Sequence, residues 1–251
     1  MAGANSRACW QVFAAPAALP SLMDALAQAA VAPVVSGMLV GLGTGRAAAR
    51  GVSALAYRVA TEGLKVACVA TSKATEHLAG QLGLRLVDAS TVASVDYLFD
   101  GADEVDPRCR MIKGGGGAMT RERIIAGMCA SARVYMIDEG KLSPRLGHRA
   151  RLPIEVLPLA RQLAALRLEE IGLEGAYRLE PGQREEFITD NGGLVLDAPL
   201  PEALWASDQA LTTLAERIRA VPGVIDHGLF LGECQRLLVE HKDGRIESIQ
   251  A

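Results

Sequence analysis

The stretch MLVGLGTGRAAARGVSALAYRVATEGLKVACVA, residues 38–70, decides the fold. Its first part, MLVGLG (38–43), is a short apolar run that predicts a buried strand, and LKVACVA (64–70) predicts a second one. Residues 45–61 between them have a helical pattern. A strand, a helix and a strand in succession predict an α/β domain with a parallel sheet.

The same alternation continues on both sides of this stretch. Upstream, Ser21 lies before an Ala- and Leu-rich segment with Asp24 three residues later, which predicts a capped helix ending near Val31. Downstream, the predicted elements are a helix over 72–82, a strand at LRLVD (84–88), a strand at VDYLFD (95–100), an extended MIK (111–113), a helix over 118–130 and a strand at RVYMID (133–138). The polar motifs between them follow the carboxyl ends of strands, the edge of an open α/β sheet where ligands bind.

The chain changes character after about His148. The predicted elements there are LPIEVLP (152–158), a helix over 159–171, AYRLE (176–180), FITDNGGLVLD (187–197) with a hairpin signal at Asn191-Gly192, and a helix over 202–220. GLFLG (228–232), RLLVEH (236–241) and IESI (246–249) are expected to return the chain to the main sheet. We therefore predict a Rossmann-like parallel-sheet lobe formed by residues 19–148 and 227–251, a smaller α+β lobe formed by residues 149–226, and an N-terminal extension at residues 1–18.

The composition argues against several classes of protein. The net charge is −3 and the Lys and Arg residues are scattered over the 251 positions, so nothing attracts a nucleic acid. Since no apolar run reaches the roughly 18 residues of a membrane helix, we expect no membrane span. The five cysteines form no CxxC pair and the four histidines show no HExxH spacing, which favours neither disulfides nor zinc and points to the reducing cytoplasm.

GLGTGRAAA (41–49) follows a predicted strand and opens a predicted helix. Its glycines allow backbone N–H groups to approach an anion such as a phosphate at the positive end of that helix. A dinucleotide site is one alternative, because Gly43, Gly45 and Ala48 fit the G-x-G-x-x-A variant, but Ala70 and Thr71 stand where an acidic residue should bind the ribose. A tight strand-to-helix turn without a ligand is the other alternative.

DGADEVDP (100–107) places carboxylates directly after a predicted strand. Asp100 and Asp103 are expected to face one cavity, with Glu104 and Asp106 pointing toward solvent. Two close carboxylates repel each other, so one can hold a proton near neutral pH and the pair can act as acid and base. Ordinary turn chemistry and a Mg²⁺ site are the alternatives.

KGGGGAMTRERI (113–124) joins a lysine, four glycines and a glutamate. It is not a Walker loop, because Lys113 precedes the glycines. Four consecutive glycines are costly in backbone entropy and indicate close passage of a ligand. Glu122 near the start of the next helix is a candidate base or, alternatively, a partner of the helix dipole. Lys141 after the next strand is a second candidate cation or an ordinary surface lysine.

In chain order, GLGTG, ATS..T (70–75), DGADEVDP, KGGGGAMTRERIIA, DEGKL, LPIEVLP, TDNGGLVLD and PGVIDHGLF resemble the ribose-5-phosphate isomerase type A family, over about residues 20–250. The resemblance implies a cytoplasmic homo-oligomer, dimer or tetramer, that interconverts ribose 5-phosphate and ribulose 5-phosphate. It implies a sugar phosphate as the partner and neither a metal nor an organic cofactor.

The resemblance also implies roles for individual residues. Glu122 would be the general base that moves a proton from carbon-2 to carbon-1 through an enediolate, and Asp100 and Asp103 would open the sugar ring. Lys113 would contact the sugar and stabilise the oxyanion. The implied substrate-binding residues are Thr44, Gly45, Arg46, Ala47, Gly101, Ala102, Gly114, Gly115, Gly116 and Lys141.

The sequence departs from the family at the phosphate loop. The family usually has GTGST, whereas Arg46 and Ala47 replace both hydroxyl residues here, and the first helix lacks the lysine that the family commonly has. Arg46 could compensate by binding the phosphate, or it could indicate another phosphosugar. A sugar-phosphate sensor is the third reading, but such a protein is expected to lose the catalytic glutamate and to carry a DNA-binding module.

Overall fold

The computed structural model describes residues 24–129, 132–201 and 207–251. The α-helices in these residues are α1 Ala25–Val31, α2 Arg46–Glu62, α3 Lys73–Gln81, α4 Met119–Met128, α5 Arg161–Glu170 and α6 Asp208–Arg219. The strands are β1 Leu39–Leu42, β2 Ala67–Ala70, β3 Tyr97–Asp100, β4 Glu104–Val105, β5 Met111–Ile112, β6 Arg133–Asp138, β7 Leu152–Val156, β8 Ala176–Tyr177, β9 Leu194–Ala198, β10 Val224–His227, β11 Leu229–Phe230, β12 Arg236–Glu240 and β13 Ile246–Gln250.

A six-stranded sheet forms the larger part of the fold, in the order β13-β12-β6-β3-β1-β2. All neighbours are parallel except β13, which runs antiparallel at one edge. Leu55 of α2 shares a core with Phe99 on one face of the sheet, and Ile125 of α4 packs with Leu98 on the other. Because both faces are covered, the central strands β1 and β3 are almost entirely buried and mostly apolar. The predicted Rossmann-like α/β architecture is confirmed.

A second, smaller sheet has four antiparallel strands in the order β10-β7-β9-β8. Helices α5 and α6 cover it through an apolar core that includes Leu168, Leu214 and Ile154. The predicted reversal at Asn191-Gly192 is confirmed: Gly192 has a φ of 80°, and Ile188 pairs antiparallel with Leu194 across the turn. The smaller α+β unit of the prediction is therefore present, and the predicted domain boundaries stay a prediction.

Side-chain caps explain where three helices begin. Asp24 accepts a hydrogen bond from the Ala27 N–H at the start of α1, Ser72 caps α3, and Ser207 caps α6. Such caps satisfy backbone donors that the first helical turn leaves free. The predicted extension at 1–18, the predicted cap Ser21, and residues 130 and 202–206 of the predicted helices lie outside the described residues.

Two predicted strand assignments are wrong. LRLVD (84–88) forms only an isolated bridge from Leu86 to Cys68, because the Asp88 side chain accepts from the Ser90 N–H and turns the chain into a short 3-10 helix. GLFLG does not join the main sheet. Its strand β11 pairs antiparallel with β5 in a three-stranded sheet, β11-β5-β4, beneath the glycine loop.

The acidic turn also differs from its prediction. Glu104 and Asp106 do not point toward solvent, since their residues are only 1% and 3% exposed. Glu104 accepts hydrogen bonds from the Gly147 and Arg149 backbone N–H groups, and Asp106 forms an ion pair with Arg110. Buried carboxylates need such partners, and here they fix the turn that follows β3.

Within the part of the chain that the structure describes, no helix combines the length and the apolar content that crossing a bilayer requires.

Candidate active site

A cleft with an empty volume of about 600 Å³ lies at the carboxyl ends of β1, β3 and β6. Its lining includes the predicted site residues Thr44, Gly45, Arg46, Ala47, Gly101, Ala102, Asp103, Lys113, Gly114, Gly115, Gly116, Glu122 and Lys141. Met136, Ile137 and Asp138 at the end of β6 complete it. The structure therefore brings together every predicted site residue at the cleft except Asp100, which lies behind its wall.

Lys113 is the centre of the charged groups in this cleft. Its ammonium lies 3.0 Å from Asp100 Oδ2 and 3.1 Å from Glu122 Oε1, and it donates to the Gly101 carbonyl oxygen. The Tyr135 and Phe230 rings flank it at 5.4 and 5.7 Å. Burial alone would lower the pKa of Lys113, but the two carboxylates raise it above its ordinary value. The lysine therefore stays charged.

Glu122 lies in the first turn of α4 and is 4% exposed. Its Oε1 contacts Lys113, whereas its buried Oε2 has no hydrogen-bond partner among the described residues. Burial raises its pKa to about 8; Lys113 opposes this shift and the Asp100 charge adds to it. A carboxylate with one oxygen held and one oxygen unpaired at the wall of a cleft is suited to take up a proton.

Asp100, at the end of β3, is fully buried. Its Oδ1 accepts hydrogen bonds from the backbone N–H groups of Thr44 (3.0 Å) and Gly101 (2.7 Å). A Cβ on Gly43 would lie 2.1 Å from this same oxygen, so only glycine lets the loop after β1 pass so close. Burial raises the pKa of Asp100, while Lys113 and the two N–H groups oppose this shift. The expectation that both aspartates face the cleft holds for Asp103 alone.

Asp103 contacts the glycine loop directly. Its Oδ2 accepts a hydrogen bond of 2.7 Å from the Gly115 N–H, and its own N–H donates to the Ile112 carbonyl oxygen. The carboxylate therefore joins the turn after β3 to the loop after β5 on the cleft side of both. The glycine loop is a tight turn, closed by a hydrogen bond from Gly117 N–H to the Gly114 carbonyl oxygen.

The loop between β1 and α2 presents a helix N-terminus to the cleft. Gly45 caps α2 with a φ of 94°, and the side chain of Arg46 is exposed at the cleft edge. Backbone N–H groups at such a terminus favour an anion. Lys141 lines the cleft from the short 3-10 helix after β6, so two cationic side chains border this end of the cavity.

A network of hydroxyl groups after β2 holds the loop between β1 and α2. The sequence analysis assigns no role to these hydroxyl groups. Thr44 Oγ1 lies 2.7 Å from Thr71 Oγ1, and Thr75 donates to the Gly43 carbonyl oxygen. Ser72 in turn donates to Thr75. These residues belong to the segment ATS..T (70–75), and its position after β2, next to β1, is the signal that could have placed them here.

Among the residues that the structure describes, no group of three or more His, Cys, Asp or Glu side chains is arranged to hold a metal ion.

Comparison with known proteins gives a consistent set of similarities. A family model for ribose 5-phosphate isomerase A (phosphoriboisomerase A) matches residues 67–244. The ribose-5-phosphate isomerase A of Sphingopyxis alaskensis is 43% identical over 215 residues, which cover 85% of this chain and 90% of that protein.

Solved structures are similar over the same range. The ribose 5-phosphate isomerase A of Methanocaldococcus jannaschii is 35% identical with a TM-score of 0.82, covering 90% of this chain and 96% of that one. A D-ribose-5-phosphate isomerase solved in complex with phospho-erythronic acid is 29% identical with a TM-score of 0.83, at the same coverage.

Proposed function

This chain belongs to the ribose 5-phosphate isomerase A family, and we propose that it interconverts D-ribose 5-phosphate and D-ribulose 5-phosphate. The reaction moves one proton between two adjacent carbons, and its chemical demands are few. It needs an opened sugar, a base beside carbon-2, and a positive or hydrogen-bonding environment for the negative charge that builds up on oxygen.

The observation that carries the proposal is the pairing of Glu122 with Lys113 at the wall of the cleft. Glu122 Oε1 is held 3.1 Å from the Lys113 ammonium, while Oε2 lacks a partner within the described chain. The oxygen that must receive a proton is therefore free. The cation that must stabilise the resulting enediolate is at the same place and stays charged.

Asp103 is the carboxylate that we assign to ring opening. Opening a furanose removes a proton from the carbon-1 hydroxyl and delivers one to the ring oxygen, so it needs a group that can do both. Asp103 lines the cleft. Asp100 is fully buried, and we assign to it the task of holding Lys113 and the Thr44 backbone in position.

Proton transfer then follows on the open aldehyde. Glu122 removes the carbon-2 proton, and the electrons of that C–H bond form the carbon–carbon double bond of an enediolate whose charge rests on oxygen-1. Lys113 and the glycine-loop N–H groups stabilise this charge. Glu122 returns the proton to carbon-1, and the hydroxyl proton on oxygen-2 passes to oxygen-1, which leaves the ketose.

The distribution of donors supports Glu122 rather than Asp100 as the proton carrier. Asp100 accepts two backbone N–H bonds, which favour its charged form, whereas Glu122 Oε2 accepts none from the described residues. The two carboxylates titrate as one coupled group with Lys113, and we assign the transferred proton to the carboxylate that accepts fewer hydrogen bonds.

A labelling experiment tests the proposed function. The enzyme is incubated in deuterated water with a panel of phosphorylated aldoses, with and without a chelator, and the products are examined by NMR. We expect deuterium at carbon-1 of ribulose 5-phosphate and turnover that the chelator leaves unchanged. Turnover of another aldose phosphate with none of ribose 5-phosphate would contradict the assignment.

Arg46 supports a phosphate at the N-terminus of α2. It lines the cleft where the family usually has a hydroxyl residue, and its guanidinium can form a charge-assisted fork to phosphate. We predict that Arg46→Ala raises the KM for ribose 5-phosphate about tenfold and changes kcat little, because remote binding energy is lost. Steady-state kinetics measure this. An unaltered KM would remove Arg46 from the phosphate site.

The two alternative functions are not favoured. A non-catalytic sensor does not need a buried Glu122–Lys113 pair in its ligand cleft. The similar proteins are named ribose 5-phosphate isomerase A, and the similarity covers 90% or more of their length. The hypothesis that the chain isomerises another phosphosugar depends on Arg46 and Ala47 alone. The same panel of labelled reactions tests this hypothesis.

We also propose that the enzyme acts in the cytoplasm as a homo-oligomer, dimer or tetramer. Leu157, Leu159, Leu163 and Leu166 are half to fully exposed on or near α5. Leu163 and Leu166 are three positions apart on α5 and share one side of that helix, and Leu157 and Leu159 lie just before it. Exposed apolar side chains in such a group favour association, and light scattering in solution measures the mass.

A further inference from the structure

Arg178, which follows β8 in the four-stranded sheet, reaches across to the glycine loop. Its Nη1 donates to the carbonyl oxygens of Gly114 (3.2 Å) and Gly115 (2.9 Å). Sequence reasoning gave this arginine no role. The contact means that the loop lining the cleft is held from outside by a side chain of the other sheet.

The guanidinium is itself held in place. Its Nε and Nη2 form a fork with Asp197, at 2.8 and 2.6 Å, and the Phe187 ring lies 5.5 Å from its central carbon. Phe187 in turn packs so tightly on Gly117 that a Cβ there would lie 2.3 Å from the ring. An arginine fixed by a planar fork loses little further freedom when it binds the two carbonyls.

Binding both carbonyls fixes the direction of two successive N–H groups. In a trans peptide the C=O and the N–H point in opposite directions, so the N–H groups of Gly115 and Gly116 point away from Arg178. The Gly115 N–H demonstrates the direction, because it donates to Asp103 Oδ2 at 2.7 Å on the cleft side. Gly116 also lines the cleft.

We propose that Arg178 is a positioning residue for the isomerisation. By holding the two carbonyl oxygens, it aims the Gly115 and Gly116 N–H groups into the cleft, where they bind Asp103 and the oxygen that becomes negative in the enediolate. Donors set in place before the reaction stabilise such charge far better than donors that must reorient. The inference rests on the proposed function for its catalytic part, whereas the clamp on the loop exists without substrate.

The test compares Arg178→Ala with Arg161→Ala. Arg161 is a matched control because it also forms an ion pair, with Glu186, and also lies over a ring, that of Tyr177. We expect Arg178→Ala to lower kcat about 10- to 100-fold with KM within threefold, and Arg161→Ala to stay within twofold of wild type. Asp197→Asn, which loosens the fork but keeps the arginine, should give a smaller change in the same direction.

Two further measurements separate positioning from general damage. Phospho-erythronic acid carries a carboxylate in place of the reacting carbons, so its inhibition constant should rise by about the same factor as kcat falls. Hydrogen exchange of the peptide covering residues 113–118, measured without ligand, should become faster in Arg178→Ala and stay unchanged in Arg161→Ala. Arg178→Lys should recover part of the lost kcat.

The outcomes distinguish the two proposals. A kcat within twofold of wild type in Arg178→Ala, or a lost kcat with unaltered affinity for the acid, overturns the positioning role. Wild-type enzyme that fails to isomerise ribose 5-phosphate overturns the proposed function instead. In that case faster exchange at residues 113–118 still supports the clamp, and unchanged exchange removes it.

Discussion

Two glutamates of this protein are almost equally buried and differ completely in their surroundings. Glu122 is 4% exposed and Glu155 is 0% exposed. Glu155, on β7, accepts hydrogen bonds from the Thr120 and Thr189 hydroxyls, and Asn191 Nδ2 lies 3.3 Å from each of its oxygens. Both of its oxygens are therefore satisfied. Glu122 has one oxygen beside a cation and the other without a partner in the described residues.

The difference teaches what burial does to a carboxylate. Burial penalises the charged form of a carboxylate, and neighbouring hydrogen-bond donors decide whether that penalty is offset. Glu155 joins the hairpin at Thr189 to Thr120 on the first turn of α4, and so its carboxylate serves the packing of two elements. Glu122 lines the cleft and keeps one buried oxygen without a hydrogen-bond partner among the described residues. We infer that incomplete hydrogen bonding marks the reactive carboxylate of the two.

The largest effect is expected at Glu122. Glu122→Gln keeps the shape of the side chain and removes the base, so kcat should fall by about 10²–10⁴, with KM changed only a few-fold. The free energy of unfolding should change least near pH 5, where the wild-type side chain is also protonated and therefore neutral like glutamine. Steady-state kinetics and denaturant titrations measure the two quantities.

The same substitution at Glu155 is the matched control for this comparison. If Glu122→Gln turned over ribose 5-phosphate at the wild-type rate, the assignment of the base would be wrong. If it unfolded instead, the two glutamates would both be structural, and the contrast between them would disappear.

The sequence predicts the members of the cleft better than it predicts their states. Thr44, Asp103, Lys113 and Glu122 all lie just after strands or at a helix start, and a parallel sheet brings such positions to one edge. Local pattern is sufficient there. It cannot reveal that Asp100 lies behind the wall of the cleft, because this depends on how closely the loop at Gly43 passes.

The missed features share one cause. Glu104 is buried by backbone groups at Gly147 and Arg149, and the glycine loop is held by Arg178, more than sixty positions away. These partners are distant in sequence and meet only in the folded chain. Residue type and spacing carry no signal for such contacts, so the sequence predicts solvent exposure for Glu104 and Asp106 and assigns no role to Arg178.

A smaller effect, of the opposite kind, is expected at Glu155. Glu155→Gln replaces one acceptor oxygen with an NH₂ group, which donates and cannot accept. The side chains of Thr120, Thr189 and Asn191 all donate to this carboxylate, so at least one of them loses its acceptor. Leaving buried donors unpaired costs about 1–3 kcal/mol, so the free energy of unfolding should fall by about that amount. We expect kcat to stay within a few-fold of wild type. A large loss of kcat with unchanged stability would place Glu155 in the chemistry and break the comparison.

A further effect concerns pH and sharpens the comparison at Glu122 itself. Burial raises the pKa of Glu122 to about 8 despite the opposing charge of Lys113. A base works only when it is deprotonated. Because the deprotonated fraction of Glu122 falls about tenfold for each pH unit below its pKa, kcat/KM should fall by the same factor. A phosphate monoester titrates near pH 6, so its own ionisation is separable from this limb.

Stability should respond to the same group with the opposite sign. The pKa of Glu122 is higher in the folded than in the unfolded state, so its contribution to stability is complete below the unfolded pKa near 4.5 and is lost as pH rises through about 8. Glu122→Gln should therefore become more stable relative to wild type as pH increases across this window. Denaturant titrations at pH 5 and 8.5 measure the difference. A mutant whose stability relative to wild type is the same at both pH values would mean that Glu122 is already ionised near its ordinary pKa, and that its unpaired oxygen has no influence on its titration.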